Sequence, residues 1–424
     1  MSEDRYSPRI IDDQLRAALD GLPALLIDGA KGVGKTSTAE RVCRTARRLD
    51  EPGQRAVISA DPSVLGLDAA PVLIDEWQRH PPVWDAVRRL VDENPGRKGR
   101  FVLTGSAPTA ATHSGAGRIA TLRMRPMCLE ERQRAEPTVS FTAIVKGNAG
   151  PITGSSTLAL ADYVDEIVTG GYPGMRKLSQ PFLQQQLLGY TERIVDHDMP
   201  DAGLVVRRPR NVRAWLRAYA AATATTATWE TIRDAASAEL GSTPARASVA
   251  AYTDLLVALR ILDPLDAWSP SFNTFSRIGG APKHHLVDPA LAVVLLGQSK
   301  RTLLAGSDSG VAGLESGALL GNLFESLAAM SIRTYAQAMF APVAHLRTHQ
   351  GRHEVDFIVE HDGGIVGIEV KLSAAIDSHD VGQLVDLRTR VGSRWIDGLV
   401  LTTGTDAYRR TDGIAVVPLG LLGL

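Results

Sequence analysis

The sequence contains few cysteines, few lysines and no long apolar stretch. Its 424 residues include 2 cysteines, Cys43 and Cys128, which are too few for a disulfide framework or a four-cysteine zinc site. No run of about eighteen apolar residues occurs, and the polar N-terminus lacks the apolar core of a secretion signal. We therefore expect a cytoplasmic protein that is neither secreted nor embedded in a membrane.

An excess of one charge is also lacking. The chain has 46 basic and 47 acidic residues, a net charge of -1, which excludes a protein that is basic throughout but leaves local basic patches possible. Only 8 of the basic residues are lysines, so a lysine at a given position carries more information than an arginine. Apolar residues make up 44% of the chain, enough to build hydrophobic cores, and the length corresponds to about three domains.

Short apolar runs alternate with helical patterns in the first 130 residues. This alternation is typical of strands and crossover helices that build a parallel α/β sheet. The runs predicted as strands are residues 24–27, 56–59, 71–74 and 101–103. The polar stretch 129–154, rich in Gly, Pro, Thr and Ser, is predicted to be a connector.

A complete phosphate-binding loop directly follows the first predicted strand and opens a helical stretch. Glycines in such a loop let backbone N–H groups surround the phosphates, while Lys35 reaches the outer phosphates and the Thr36 hydroxyl ligates magnesium. The nucleotide-binding residues predicted by this pattern are Gly29, Ala30, Lys31, Gly32, Val33, Gly34, Lys35 and Thr36. The pattern predicts that the protein binds ATP and Mg²⁺.

Polar residues follow the last two predicted strands of this region, 71–74 and 101–103. Asp75 is placed to hold magnesium, and Glu76 to orient or activate the attacking water. Thr104, after the strand 101–103, is a candidate to contact that water or the outer phosphate, although a threonine at a strand end is also common. Arg118 is a candidate arginine finger in its own or a neighbouring subunit, or an ordinary surface arginine.

These residues resemble a prokaryotic group of AAA-type ATPases in which a C-terminal domain of unknown function follows the ATPase domain. The likeness rests on the phosphate-binding loop and on Ile74-Asp75-Glu76-Trp77-Gln78 with Pro81, Leu103-Thr104-Gly105-Ser106, Gly117-Arg118, and segments 170–174 and 283–288. It implies ATP hydrolysis. The segment Lys283-His284-His285-Leu286 departs from the group, in which an aromatic residue is more frequent there, and we expect this departure to affect packing rather than chemistry.

The middle of the chain is mostly helical in pattern. A helix predicted over 242–259, a strand-like segment 260–265 and a second at 285–287 suggest a winged-helix unit. An arginine cluster with interleaved Trp215 and Tyr219 leads into it: Arg207, Arg208, Arg210, Arg213 and Arg217. The cluster either meets a nucleic-acid backbone or is a solvated face, since winged helices also bind proteins.

Near the C-terminus, the sequence predicts two strands with acidic residues that are joined by a tight turn. Asp356 lies on the first strand, and Glu369 and Lys371 lie two residues apart on the second, so they share a face. With Glu325 on the preceding helix, these residues resemble the PD-(D/E)xK nuclease core. The resemblance implies that Glu325, Asp356 and Glu369 bind Mg²⁺ and that Lys371 positions water. The alternative is an acid-rich hairpin whose lysine forms a salt bridge.

Taken together, the patterns predict an α/β protein in four parts. These are an AAA-type P-loop ATPase domain (1–135), a helical linker or lid region (136–205), a winged-helix-like domain (206–303) and a restriction-endonuclease-like α/β domain (304–424). The expected partners are ATP, DNA or a protein, and further copies of the chain. Two alternatives stay open: an ATP-driven switch with a non-cleaving C-terminal domain, and a small-molecule kinase, for which no acceptor site is recognisable.

Overall fold

The computed structural model describes residues 6–106, 116–268, 280–305, 316–348 and 353–424. Its first part is a five-stranded, fully parallel sheet in the order β2-β3-β4-β1-β5. The strands are β1 (Ala24–Asp28), β2 (Thr45–Arg48), β3 (Val72–Asp75), β4 (Phe101–Gly105) and β5 (Ile119–Arg123). The helices around them are α1 (Ile11–Gly21), α2 (Lys35–Glu40), α3 (Pro52–Ala60), α4 (Val64–Leu67) and α5 (Pro82–Glu93).

Three of the four predicted strands of this sheet are confirmed and one is wrong. Residues 56–59 lie in α3, which begins at Pro52, a residue suited to the first turn of a helix. The missing strand is β2, at the edge of the sheet. Its side chains are alternately half-buried and exposed, so β2 needs no apolar run and gives no apolar signal.

The middle of the chain is helical. Its helices are α6 (Phe141–Val145), α7 (Leu160–Thr169), α8 (Gln180–Arg193), α9 (Met199–Asp201), α10 (Pro209–Ala221), α11 (Trp229–Leu240), α12 (Arg246–Ala258), α13 (Pro289–Leu295) and α14 (Lys300–Leu304). After α12, antiparallel bridges join Leu262 to Leu286 and Leu265 to Lys283. The predicted order of helices followed by two paired extended segments is therefore present.

The C-terminal part is a six-stranded mixed sheet in the order β11-β12-β10-β9-β8-β7. It contains α15 (Ser316–Ala338), β7 (Val343–Arg347), β8 (Glu354–His361), β9 (Gly364–Lys371), α16 (Gly382–Val391), β10 (Trp395–Thr402), β11 (Tyr408–Arg409) and β12 (Ala415–Pro418). The predicted hairpin is confirmed as β8 and β9, and most of the Gly- and Ser-rich break 304–313 lies outside the described residues. Among the described helices, none combines the length and apolar character needed to cross a membrane.

The predicted connector 129–154 is not a loose linker. It contains β6 (Val139–Ser140), which pairs in parallel with β13 (Leu422–Gly423) at the end of the chain. Phe141 and Val145 are fully buried behind this pair. Because one continuous apolar cluster joins residues from Ile11 to Leu422, the three parts of the chain share a core.

A buried carboxylate links the three parts. Asp263, which follows α12, lies 2.9 Å from Arg123, 2.8 Å from Arg125 and 2.9 Å from Arg333 on α15. Burial alone would raise the pKa of Asp263, but the three guanidinium groups outweigh it and hold this pKa well below its usual range. The carboxylate is therefore ionised at neutral pH.

We expect the substitution Asp263→Asn to destabilise the protein by about 3–5 kcal/mol, because it leaves three guanidinium groups without their shared anion. Chemical denaturation at pH 7 measures this loss. Asp13→Asn is the matched control, since Asp13 pairs with Arg16 at the surface and its side chain is 92% exposed. That control should change the free energy of unfolding by less than about 0.5 kcal/mol.

The contribution of Asp263 to the free energy of unfolding should depend on pH. Because the folded-state pKa of Asp263 is depressed, its contribution is fully present above the unfolded pKa of about 3.9 and is lost as the pH falls below that value. The stability difference between the wild-type and Asp263→Asn chains should therefore stay constant from pH 8 to about pH 5 and shrink at lower pH. A difference that shrinks between pH 8 and pH 6 would contradict this assignment.

Candidate nucleotide site and a second charged centre

The phosphate-binding loop connects β1 to α2 at the C-terminal end of the sheet. Gly32 and Gly34 have φ values of 78° and 103°, a region that favours glycine. A Cβ atom at Gly29 would lie 2.2 Å from the carbonyl oxygen of Met124. All three glycines are therefore required by the backbone path of the loop.

Lys35 lies inside this loop. Its Nζ donates hydrogen bonds of 2.8 Å to the carbonyl oxygens of Gly29 and Ala30, and the residue is 6% exposed. Burial lowers the pKa of Lys35 to about 8, although nearby carboxylates, Glu76 first among them, act in the opposite direction. The ammonium group of Lys35 thus lies where the loop would hold phosphate oxygens.

The predicted magnesium ligands lie next to each other. The Thr36 hydroxyl donates to Oδ1 of Asp75 at 2.8 Å, and the Thr104 hydroxyl donates to the same oxygen. Asp75 and Thr104 are both buried. A hydroxyl and a carboxylate in contact beside a phosphate-binding loop are the oxygen donors that Mg²⁺ prefers, so these residues fit the ion.

Glu76 is held in a defined position beside this cluster. Its backbone has a φ of 53°, in the left-handed region, and its N–H donates to the Thr104 hydroxyl at 3.4 Å. The side-chain amide of Gln78 donates to Oε2 of Glu76 at 2.5 Å. These contacts orient the Glu76 carboxylate, as the assignment of a water-positioning base requires.

A cavity of about 220 Å³ opens on one side of the loop, and the sequence patterns did not predict it. Its lining includes Tyr6, Thr38, Met124, Pro173 and Lys177. The Tyr6 hydroxyl donates to Asp12 at 2.6 Å and contacts the Thr38 hydroxyl at 2.7 Å, which fixes its ring at the cavity wall. Of this lining, Pro173 belongs to a motif of the sequence, residues 170–174, whereas no local pattern marks Tyr6 as a neighbour of the loop.

Arg9 is a second residue that sequence reasoning missed. Its guanidinium donates to the carbonyl oxygens of Val33 at 2.8 Å and Arg125 at 2.7 Å, and it pairs with Glu131 at 3.1 Å. Arg9 therefore ties the phosphate-binding loop to the segment after β5. A single arginine among the many of this chain gives no distinguishing signal in the sequence.

Arg118 lies at the N-terminal end of the strands, opposite the phosphate-binding loop. It precedes β5, whose first residue Ile119 pairs with Ala24, the first residue of β1, whereas the loop follows the last residue of β1. Its side chain is half-exposed and pairs with Asp92 at 2.9 Å. The assignment of Arg118 as an arginine finger stays a prediction, and this placement favours a role across a subunit boundary over a role at its own loop.

The C-terminal acids meet a residue to which the sequence patterns gave no role. The Nζ atom of Lys283 donates to Oε1 of Glu325 at 2.9 Å and to Oδ1 of Asp356 at 2.8 Å. Lys371 donates to Glu369 at 2.8 Å, which confirms that these two side chains share a face of β9. The one signal in the sequence that pointed to Lys283 was that lysines are scarce among the basic residues of this chain.

The electrostatics of this centre follow from its burial. Burial raises the pKa of Glu325 to about 8 and also raises the pKa of Glu369. Burial acts in the same direction on Asp356, but the adjacent Lys283 ammonium outweighs it and lowers the pKa of Asp356. The backbone N–H of Val370 also donates to the second Asp356 oxygen at 2.9 Å.

This arrangement does not fit the predicted magnesium site. An ammonium group takes the oxygens of Glu325 and Asp356 that a metal would need. Within the described ranges, the acids and histidines whose ligand atoms converge closely enough for a metal are Asp377, His379 and Asp380, which belong to an open surface turn. The sequence-based assignment of Glu325, Asp356 and Glu369 as metal ligands thus disagrees with the geometry.

The arginine cluster also differs from its expected form. Trp215 and Tyr219 are fully buried and pack against each other at a ring distance of 5.3 Å, so they are not available to stack on nucleic-acid bases. Arg213 pairs with Asp196 at 2.6 Å, and Arg217 pairs with Glu239. The adjacent pair His284 and His285, predicted to be structural or at the surface, is buried.

Comparison with known proteins identifies the first part of the chain. Residues 22–133 match the AAA domain family, and residues 160–302 and 320–422 match two domains of unknown function, DUF8612 and DUF4143. Together with the complete phosphate-binding loop, the first match supports an ATP-binding protein with an AAA-type domain.

Relatives span most of the chain. The uncharacterized proteins Rv2008c of Mycobacterium tuberculosis and Mb2031c of Mycobacterium bovis are each 27% identical to it over 389 residues, covering 88% of this chain and 76% of theirs. Among solved structures, the Walker-type ATPase Paby2304 of Pyrococcus abyssi is 16% identical with a TM-score of 0.41, covering 69% of this chain and 97% of its own. The ORC2 protein of Aeropyrum pernix is 13% identical with a TM-score of 0.33, covering 77% and 98%.

We expect Gly29→Ala to weaken nucleotide binding by about tenfold or more, because the added Cβ would collide with the backbone at Met124 and displace the loop. Titration with a fluorescent ATP analogue measures the affinity. Gly21→Ala, at the end of α1, is the matched control, since a Cβ there meets no atom within 4 Å. Equal affinity of the two variants would show that the loop tolerates the displacement.

Proposed function

We propose that this protein is an Mg²⁺-dependent ATP hydrolase of AAA type. The observation that carries the proposal is the contact of Thr36 and Thr104 with the Asp75 carboxylate, directly beside the loop that surrounds Lys35. Thr36 and Asp75 would hold the magnesium ion, which when bound neutralises charge on the outer phosphates.

The residues around the loop have separate roles in this proposal. Lys35 neutralises the outer phosphate oxygens as negative charge moves onto the leaving group. Glu76, oriented by Gln78, accepts a hydrogen bond from the attacking water and aligns it with the phosphate. Thr104 contacts both Asp75 and the backbone of Glu76. It thereby fixes the position of the metal-binding carboxylate relative to the carboxylate that aligns the water.

The cavity beside the loop supports a place for the nucleoside. Tyr6 and Pro173 offer an aromatic ring and an apolar ring, and Thr38 and Lys177 offer polar atoms. We propose that the base and ribose lie there while the phosphates enter the loop. Closure of the site then depends on the segment 170–174, which brings Pro173 from outside the parallel sheet.

The role of Arg118 in this proposal requires a second copy of the chain. Because it lies at the opposite end of the strands from its own loop, Arg118 would complete the site of a neighbouring subunit. Its partner Asp92 on α5 would have to release it for this purpose. An oligomer in solution is thus part of the proposal.

The remaining divisions of the chain are proposed as the parts that hydrolysis moves. They are a helical linker or lid (136–205), a winged-helix-like domain (206–303) and a restriction-endonuclease-like domain (304–424), after an AAA-type domain that ends near residue 135. Support comes from the paired segments after α12 and from acids on the adjacent strands β8 and β9. We propose that their partner is a protein, because the aromatic residues of the arginine cluster are buried.

DNA is the second candidate partner. Arg207, Arg208 and Arg210 at the start of α10 are exposed, so this end of the helix retains positive charge. Backbone contacts of this kind would give binding without sequence preference and with a strong dependence on salt. Cleavage of DNA is not part of the proposal.

Steady-state ATP hydrolysis with and without single- and double-stranded DNA tests both candidates. We expect turnover that requires Mg²⁺, that is indifferent to DNA, and that falls by about a hundredfold or more in Lys35→Ala, because the phosphates lose their cation. Lys98→Ala is the matched control, since Lys98 is an exposed lysine of the same domain. Turnover that rises with DNA would favour the second candidate, and no turnover in the wild-type chain would refute hydrolysis.

Glu76→Gln separates hydrolysis from binding. The amide keeps the size of the side chain but cannot act as a base, so we expect turnover to fall by about 10² to 10⁴ while ATP affinity changes less than threefold or so. Single-turnover kinetics and equilibrium binding measure the two quantities. Glu93→Gln, at an exposed position at the end of α5, should change neither, and an active Glu76→Gln enzyme would remove Glu76 from the mechanism.

A further inference from the structure

A buried lysine crosses from the middle of the chain into the C-terminal carboxylates. Lys283 lies on the extended segment before α13, and its backbone N–H and C=O both bond to Leu265 at 2.9 Å. This pairing with a second segment fixes the direction of the side chain. The ammonium group is thereby delivered between α15 and β8, two elements of the C-terminal part.

The contacts of this ammonium group are those of a bound cation. It lies 2.9 Å from Glu325 and 2.8 Å from Asp356, with Glu354 at 3.8 Å, and the Lys283 side chain is 1% exposed. Three carboxylates thus face one buried positive charge. Removal of such a charge would leave Glu325 and Asp356 to repel each other inside the protein.

A divalent ion would require the same oxygens. Mg²⁺ and Mn²⁺ take carboxylate oxygens at about 2.1 Å, and a fixed ammonium group on those oxygens both blocks the approach and repels the ion. The second Asp356 oxygen is held by the Val370 N–H, and Glu369 is paired with Lys371. Both oxygens of Asp356 and Oε1 of Glu325 are thus occupied, whereas Oε1 of Glu369 is buried without a hydrogen-bond partner, so a metal ion bound to Asp356 would have to displace one of these contacts.

The segment that carries Lys283 is anchored beside the centre. The His285 ring contacts the Ser326 hydroxyl at 2.8 Å, next to Glu325 on α15. About two turns of α15 further along, Arg333 donates to the carbonyl oxygen of Asp263, on the segment paired with that of Lys283, at 2.6 Å. Because these contacts fix the segment on both sides, Lys283 cannot leave the carboxylates without moving the middle of the chain relative to α15.

We infer that Lys283 is the resident cation of the Glu325, Asp356 and Glu369 centre, and that it keeps divalent metal ions out of it. The centre is then an ionic joint between the middle and the C-terminal parts, although its acids have the placement of a metal-dependent nuclease. This inference is independent of ATP hydrolysis, since no residue of the nucleotide site takes part. It also predicts that removal of one amino group uncovers a metal site.

Binding of Mn²⁺ to the full-length protein without nucleotide tests the inference. Electron paramagnetic resonance of free Mn²⁺ counts bound ions for the wild-type chain, Asp356→Asn, Lys283→Met and the double variant. We expect the wild-type and Asp356→Asn chains to bind equally, and Lys283→Met to bind about one ion more. The extra ion should be lost in the double variant, which assigns it to this centre rather than to the nucleotide site.

Lys300→Met is the matched control, because it removes a lysine from an exposed ion pair with Asp165 and should add no ion. A folded Lys283→Met chain without the extra ion would overturn the inference. Should that variant not fold, the first two chains still decide. An ion bound by the wild-type chain and lost in Asp356→Asn overturns the inference, and equal binding supports it.

Discussion

The carboxylate of Asp263 is the interaction on which the arrangement of the three parts depends. It is buried and shared by Arg123 at the end of β5, by Arg125 just after this strand, and by Arg333 on α15. One anion with three cationic partners from different parts of the chain fixes their relative position more strictly than apolar contact, since each guanidinium loses its partner if one part moves. The shared hydrophobic core stabilises the folded chain, and the ion pairs of Asp263 fix the relative position of its three parts.

The nucleotide loop is connected to the same framework. Lys31 in the loop pairs with Asp198 at 2.5 Å, and the Tyr190 hydroxyl donates to the Lys31 carbonyl at 3.1 Å. On the other side, Arg260 pairs with Asp28 at the end of β1 at 2.6 Å. Direct contacts thus connect the loop to the helical middle, which is the structural requirement of the proposed nucleotide-driven switch.

Two lysines show how one side chain serves two purposes in this protein. Lys35 lies on backbone carbonyls of a glycine loop, and burial lowers its pKa to about 8. Lys283 lies on carboxylates that outweigh the effect of burial and raise its pKa, so its charge is permanent. Lys35 can exchange its neutral carbonyl partners for charged phosphate oxygens, which bind an ammonium group more strongly. Lys283 already binds charged carboxylates, so an incoming anion would gain nothing by replacing them.

The sequence alone determined what depends on neighbouring residues: the phosphate-binding loop, the strands β1, β3 and β4, and the β8–β9 hairpin with Glu369 and Lys371 on one face. Local patterns suffice there, because strand period and glycine backbone freedom act over a few residues. Only the tertiary structure decided that Arg118 lies at the opposite end of the strands from the loop. It also decided that Tyr6 and Arg9 lie beside the loop and that Trp215 is buried. It also placed Lys283 on acids 42 and 73 residues away. Those outcomes depend on which surfaces the folded chain brings together, and no local pattern in one sequence encodes that pairing.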